Sequence, residues 1–283
     1  MIKYLRGKFL LSFMAASAYS VQHLFPKINL WFNRTKVRMI GAFMCWIYIS
    51  PHLDDAILSA GGLIYDQARD GERVEIWTLV CGFPPGAELT PFAQLLHFQW
   101  GFTSAEETVR SRRAEDERAA SIVGAKAVHF DFPDCIYRRG ADGEPLYPMD
   151  VFVPPHPAEA DLPAQMTAIL KERIQPDDVL VCPLGIGGHA DHLLVRQAVE
   201  GLNRPLWYYA DVPYVLNHPE ALKPFTRLMT AERREISSGG LGAWAEGIAS
   251  YASQISTLFE SPIKMKEAMQ DYGEKGLFLW KVE

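Results

Sequence analysis

The chain reads as an α/β protein built on a mostly parallel central sheet, and two observations predict it. Short apolar runs alternate with longer amphipathic or charged stretches, β then α, over most of its 283 residues. Two of those runs, ending at Ser50 and Cys182, stop at Pro- or Gly-containing turns and are followed by clusters of ionisable residues where a helix should begin. The C-terminal ends of parallel strands are where such folds place their chemistry. A hydrophobic content of 48% is enough for one large domain with a substantial core.

Taken in order, the first strand ends before Pro51, and residues 56–69 read as a helix closed by Asp70-Gly71. Residues 74–81 form a buried strand. Residues 82–91, with three prolines, are a loop, and 92–101 are aromatic-rich and irregular. Ser104 offers an N-cap and Glu106 and Glu107 place acids in the first turn of a long charged helix that runs to 123 and ends at Gly124. A third strand at 127–132 leads into a Pro/Gly/Asp-rich loop at 133–162, and loops of that length are usually functional or mobile. Then come a helix at 163–174, a strand at 179–182, a helix at 191–202 and a strand at 206–210. A helical stretch at 243–259, a helix near 264–272 and a strand at 277–282 close the chain. The alternation favours right-handed crossovers.

The first polar cluster is Pro51-His52-Leu53-Asp54-Asp55. His52 and Asp55 are three apart, so a tight strand-to-helix turn aims both at one point. Asp54 is left beside them as a spare carboxylate, suited to act as a general base. The second cluster is Gly188-His189-Ala190-Asp191-His192. His52, Asp55 and His192 together make a two-His, one-carboxylate donor set that leaves metal positions open for water and substrate.

The two clusters, in this order and each after a strand, resemble the paired signature of the PIG-L/LmbE-like zinc de-N-acetylases, whose usual forms are PHPDD and GHPDH. The resemblance runs from about residue 44 to 259. It includes Leu96-His97 with Trp100-Gly101, Arg112-Arg113-Ala114-Glu115-Asp116, Asp134 with Ile136-Tyr137-Arg138, Tyr208-Tyr209 with Pro213-Tyr214, and Tyr251 with Ser253-Gln254. It implies a Rossmann-like three-layer sandwich without a dinucleotide, formed as a single catalytic domain over residues 44–283. The implied activity is hydrolysis of the acetyl or short acyl amide of an N-acetylated amino-sugar conjugate. The implied cofactor is one Zn²⁺ per chain, with another divalent metal such as Fe²⁺ as the alternative, held by His52, Asp55 and His192.

On that reading Asp54 takes a proton from water and returns one to the amine, and His189 stabilises the oxyanion as an imidazolium whose loss makes the rate fall at alkaline pH. Asp191 hydrogen-bonds one of the imidazoles. The bland alternative for Asp54 and Asp191 is helix capping. His97, Arg112, Asp134, Tyr137 and Arg138 are candidate substrate contacts. The bland alternatives are a packed histidine and a solvated charged helix face. Leu53 and Ala190 stand where the family usually has proline, and Ala56 where many members carry Glu.

Residues 1–50 carry seven Lys/Arg and no acid, leaving 21 basic against 34 acidic residues in the rest. An acidic body argues against nucleic acid as a partner. Four dispersed cysteines with no CxxC pair read as buried free thiols, as in a reducing compartment. Residues 1–43 form a leader. Its basic start, apolar run from 9 to 18 and Ala16-Ser17-Ala18 have the order of an export signal. An upstream extension before a start at Met39 or Met44 is the other reading, and with it a cytoplasmic location. The apolar run is short for a membrane span, and none is expected in the catalytic domain. Two rival functions share some of these features: a non-haem Fe(II) oxygenase, which uses the same donor set, and a nucleotide-binding module on Gly185-Ile186-Gly187-Gly188, whose spacing is not GxGxxG. Oligomeric state is not legible.

Overall fold

In the computed structural model, residues 44–282 are described, apart from 85 and 87. The leader expectations for residues 1–43 fall outside the described residues.

Seven strands form one sheet in the order β3-β2-β1-β4-β5-β7-β6. The strands are β1 (Cys45–Ser50), β2 (Arg73–Thr78), β3 (Lys126–His129), β4 (Val179–Pro183), β5 (Leu206–Tyr209), β6 (Met229–Arg234) and β7 (Leu277–Val282). The first five pair in parallel. β7 runs antiparallel to both β5 and β6. Every residue of β1 is buried, as a central parallel strand covered on both faces requires. The strand order reverses between β1 and β4, so a crevice opens beyond their C-terminal ends. Both polar clusters lie there.

Helix α1 (Asp55–Arg69) follows β1, α2 (Pro91–Gln99) and α3 (Ala105–Ile122) lie between β2 and β3, α4 (Leu162–Arg173) precedes β4, and α5 (Ala190–Glu200) follows it. Near the C-terminus come α6 (Ser238–Ala249), α7 (Ala252–Leu258) and α8 (Pro262–Glu274). Helices α1, α3, α6 and α8 pack among themselves, and α4 packs on α5. With right-handed crossovers these two groups cover opposite faces of the sheet. The expected α/β sandwich is the fold.

The α1–α6 contact explains a pair of glycines. The fully buried Trp244 of α6 lies against Gly61 and Gly62 and donates its indole N–H to the Ile57 carbonyl at 2.6 Å. A Cβ on Gly61 would stand 2.5 Å from Trp244 Cδ1. Gly61→Ala should therefore destabilise the fold by about 1–3 kcal/mol through overpacking. Urea unfolding should show a lower midpoint with an unchanged slope.

Three elements differ from expectation. Residues 92–101 are not irregular: Thr90 caps α2 by accepting the Ala93 amide, with Pro91 in the first turn. β6 carries Glu232, Arg233 and Arg234 on a half-exposed edge, so it lacks an apolar run to betray it. The helical stretch at 243–259 is two helices, separated at Ser250 and Tyr251, where the Tyr251 backbone leaves helical dihedrals (φ −83°, ψ 56°) and its hydroxyl donates to Asp116 of α3 at 2.7 Å. The long loop is folded rather than loose. It contains two 3₁₀ turns (Cys135–Tyr137 and Pro157–Glu159). The buried Arg138 pairs with Glu159, which also accepts the Tyr147 hydroxyl at 2.6 Å. All four cysteines are buried and free. Among the described residues no helix is long and apolar enough to cross a membrane.

Candidate active site

The β1–α1 turn is set by short polar side chains. Ser50 Oγ accepts the Ala56 amide at 3.1 Å and donates to the His52 carbonyl at 2.6 Å. Asp55 Oδ2 accepts the His52 amide at 2.7 Å. Asp54 makes no side-chain cap bond at α1, so its carboxylate is free of the helix end. At α5 the cap is His189, whose Nδ1 accepts the Asp191 amide at 3.2 Å. Capping as the sole role is thus ruled out for both Asp54 and Asp191.

The two turns bring His52, Asp54, Asp55, His189, Asp191 and His192 together, all buried. Asp55 Oδ2 lies 3.5 Å from His52 Nδ1 and 3.4 Å from His192 Nε2. Two donors on one tetrahedral zinc, each at about 2.0–2.2 Å, stand roughly 3.4 Å apart, so each of these two pairs is spaced as two ligands of one ion would be. Nitrogen atoms of His52, His189 and His192 also lie within 4.8 Å of one another. The far nitrogens of two rings are held by carboxylates. His52 Nε2 donates to Asp191 Oδ2 at 3.1 Å, and His192 Nδ1 donates to Asp211 Oδ1 at 2.9 Å. This is how metal-binding imidazoles are usually oriented.

Charge follows from these contacts. Burial opposes protonation of His52, but Asp191, Asp55 and Asp134 outweigh it and hold its pKa well above the usual value. His192 is raised likewise, burial being outweighed by Asp55 and Asp211. Burial disfavours a charged Asp55, yet His192 and His52 keep it below the ordinary carboxylate range. Asp54 is pushed up to about 7 by burial and by the charge of Asp55, against the pull of Arg112 and His52. His189 is held well below the usual histidine value by burial and by its neighbours His52 and His192. Its Nδ1 lone pair is already engaged by the Asp191 amide. Both contacts favour the neutral ring with its proton on Nε2, where the sequence leads to the expectation of an imidazolium.

The candidate substrate contacts divide. Arg112 lies on the stacked face of Trp100, 4.8 Å from its centroid, with Nη2 3.7 Å from Asp54 Oδ2. Asp134 Oδ2 is 3.8 Å from His52 Nε2. Both border the cluster. His97 and Tyr137 sit behind them, with His97 Nε2 and the Tyr137 hydroxyl sharing a 2.7 Å hydrogen bond. His97 Nδ1 and Arg112 Nε are buried with no hydrogen-bond partner among the described residues. Arg138 does not belong with substrate contacts. It is buried and its guanidinium is taken up by Glu159, by Asp191 Oδ1 at 2.6 Å and by the Pro133 carbonyl. Its charge instead keeps Asp191 ionised, well below its usual pKa despite burial.

Asp211, Glu159 and Phe152, the last with its ring edge-on to His189 at 5.5 Å, are site residues that the sequence reading missed. Asp211 stands two residues past the end of β5, one strand over from the second cluster, and a carboxylate near a strand's C-terminal end was the available signal. Glu159 lies in a loop and has no local signature. The Gly185–Gly188 turn is committed to the site and offers no phosphate cradle: Ile186 donates its amide to Asp211, and the Tyr214 ring lies on Gly187.

A protein-family model described as PIG-L, GlcNAc-PI de-N-acetylase, matches residues 47–202. The 2′-N-acetylparomamine deacetylase of Niallia circulans is 28% identical over 195 residues, spanning 63% of this chain and 70% of that protein. The enzyme of the same name from Streptomyces fradiae is 30% identical over 176 residues, spanning 59% of this chain but only 57% of that protein. A crystal structure of the zinc-inhibited form of a teicoplanin deacetylase superposes with a TM-score of 0.73 at 26% identity, covering 84% of this chain and 97% of that one.

Proposed function

Because the chain belongs to the PIG-L (GlcNAc-PI de-N-acetylase) family, we propose that it is a zinc-dependent hydrolase removing an acetyl group from the amine of an amino-sugar conjugate. The observation that carries the reading is Asp55 Oδ2 facing two imidazole nitrogens at 3.4 and 3.5 Å, with an uncommitted carboxylate, Asp54, next in the chain. Supporting it are the relatives, which are named as deacetylases of 2′-N-acetylparomamine and of teicoplanin.

His52, Asp55 and His192 would hold the metal. The far nitrogens of His52 and His192 are each carboxylate-bound, whereas His189 spends its Nδ1 on the α5 cap. A bound zinc supplies Lewis acidity, acidifying water and polarising an amide carbonyl. The protein's own groups do the rest. Water adds to the carbonyl carbon, the C–N bond breaks, and the products are acetate and the free amine. Asp54 accepts the water proton and returns it to the departing nitrogen, a task suited to a carboxyl pushed up to about 7. His189 Nε2–H donates to the developing oxyanion. Arg112 and Asp134 bind the sugar hydroxyls, and the His97–Tyr137 pair backs them.

Incubation with N-acetylglucosamine, 2′-N-acetylparomamine and N-acetylglucosaminyl-inositol should release amine and acetate one for one. A chelator should abolish release and zinc restore it. No release from any member of such a panel, with metal bound, would refute the assignment.

The charge states make a further prediction. His52 and His192 carry raised pKa values without metal, so zinc must displace protons from them. Zinc affinity of the stripped protein should rise with pH, with protons released into weak buffer. Asp211→Asn should weaken that affinity about 10–100-fold. Titration calorimetry in two buffers of different ionisation enthalpy reads both.

A further inference from the structure

The two flanks of the metal cluster differ in chemistry. On the side of β1 and α3 stand Asp54, Arg112 and Asp134, all ionisable. On the side of β4 and β5 stand two aromatic rings. Phe152 meets His189 edge-on at 5.5 Å and Tyr214 at 5.8 Å, and Tyr214 meets His192 at 6.0 Å. Phe152 is 51% exposed, a large apolar side chain left half open beside a buried polar cluster. Its placement is not casual. The preceding residue, Val151, accepts the Ala190 amide at 2.8 Å, which ties this part of the loop to the residue next to His189. Tyr214 is seated with equal firmness, since a Cβ on Gly187 would come within 2.7 Å of its ring.

We infer that Phe152 and Tyr214 form the acyl-side wall of the site and restrict the cleaved group to an acetyl-sized chain. The inference rests on the reading of the site as a de-N-acylase. A carbonyl carbon under attack has three substituents to place. Its oxygen goes to His189 Nε2. Its nitrogen, with the sugar attached, goes to Asp54, where Arg112 and Asp134 offer hydroxyl partners. The acyl chain takes the remaining direction, past His189, and meets the Phe152–Tyr214 pair. An apolar wall against a methyl group is favourable, and a longer chain meets two rings held edge-on against each other and against the site histidines.

The test compares N-acetyl-, N-propionyl- and N-butyrylglucosamine with the wild type, Phe152→Ala and Phe152→Trp, scoring kcat/KM for each acyl group within each protein. The wild type should favour acetyl. Phe152→Ala should raise the butyryl-to-acetyl ratio by about 10-fold or more, since one or two methylenes against a packed apolar surface discriminate on that scale. Phe152→Trp should lower the ratio. Ratios within about twofold of the wild type in both variants would overturn the wall, because that is below what a single methylene commands. So would an equal rise in KM for all three substrates, which would place the ring against the sugar. If the wild type prefers another amine of the panel above, the same acyl series is made on that amine. A wild type that cleaves no member of the panel takes down the de-N-acylase reading and the wall with it, whereas flat ratios in an active wild type remove the wall alone.

Discussion

The Asp54→Asn protein should keep its metal and lose roughly 10²–10⁴ in kcat, the range a positioned general base supplies. The separation of effects follows from geometry. The Asp54 side chain holds neither the helix nor a histidine, and only its backbone carbonyl serves α1, accepting the Leu58 amide at 2.8 Å. Asparagine keeps that bond and the side-chain shape but cannot take a proton from water. Its neighbour behaves otherwise. Asp55 Oδ2 faces both imidazoles and accepts the His52 amide. Asp55→Asn should therefore lower metal content along with the rate. Metal analysis beside steady-state kinetics distinguishes the two, and equal metal loss in both variants would contradict the division of roles.

His189→Ala should cut kcat by about 10²–10³, the 2.7–4 kcal/mol typical of one oxyanion donor, while KM and metal content stay nearly unchanged. The structure refines how this should depend on pH. Burial and two adjacent imidazoles press the ring toward its neutral form, and a neutral donor has no acid form to lose. The deficit of the variant should be the same factor from neutral to alkaline pH, in contrast to the alkaline fall expected of an imidazolium. His189→Gln offers an N–H near the same place and should recover part of the loss. A His189→Ala protein without metal would make His189 a ligand, and one with normal kcat would remove it from the reaction.

The parts of this site that could be read in advance were those written in local spacing. His52, Asp54 and Asp55 sit in one turn, as do His189, Asp191 and His192, and each turn follows an apolar strand, so sequence alone places them at the β1–β4 reversal. What supports them came from elsewhere in the chain. Asp211 stands 19 residues past His192, and Arg138 reaches Asp191 across 53 positions. Such pairings depend on tertiary packing and carry no periodicity. Arg138 was misjudged for the same reason: an Arg at the start of a polar loop looks available to a ligand until a buried Glu159 claims it. The missed strand β6 is charged because it lies on a sheet edge, where amphipathic patterning gives way to protection from association. The sequence suggests an imidazolium at His189, whereas burial, a backbone amide at Nδ1 and two other imidazoles favour the neutral ring, and none of these is written at its own position.

Anomalous diffraction at the zinc absorption edge, from crystals of the metal-loaded protein, tests the central claim most directly. The account predicts one principal peak, bonded to His52 Nδ1, Asp55 Oδ2 and His192 Nε2. Other donor sets are close by: Cys135, His189 and Asp191, or His52, Asp134 and Asp191, each with ligand atoms within 4.8 Å of one another. A principal peak on either of those, or one bonded to His189 in place of Asp55, would contradict the assignment of the metal and the base together.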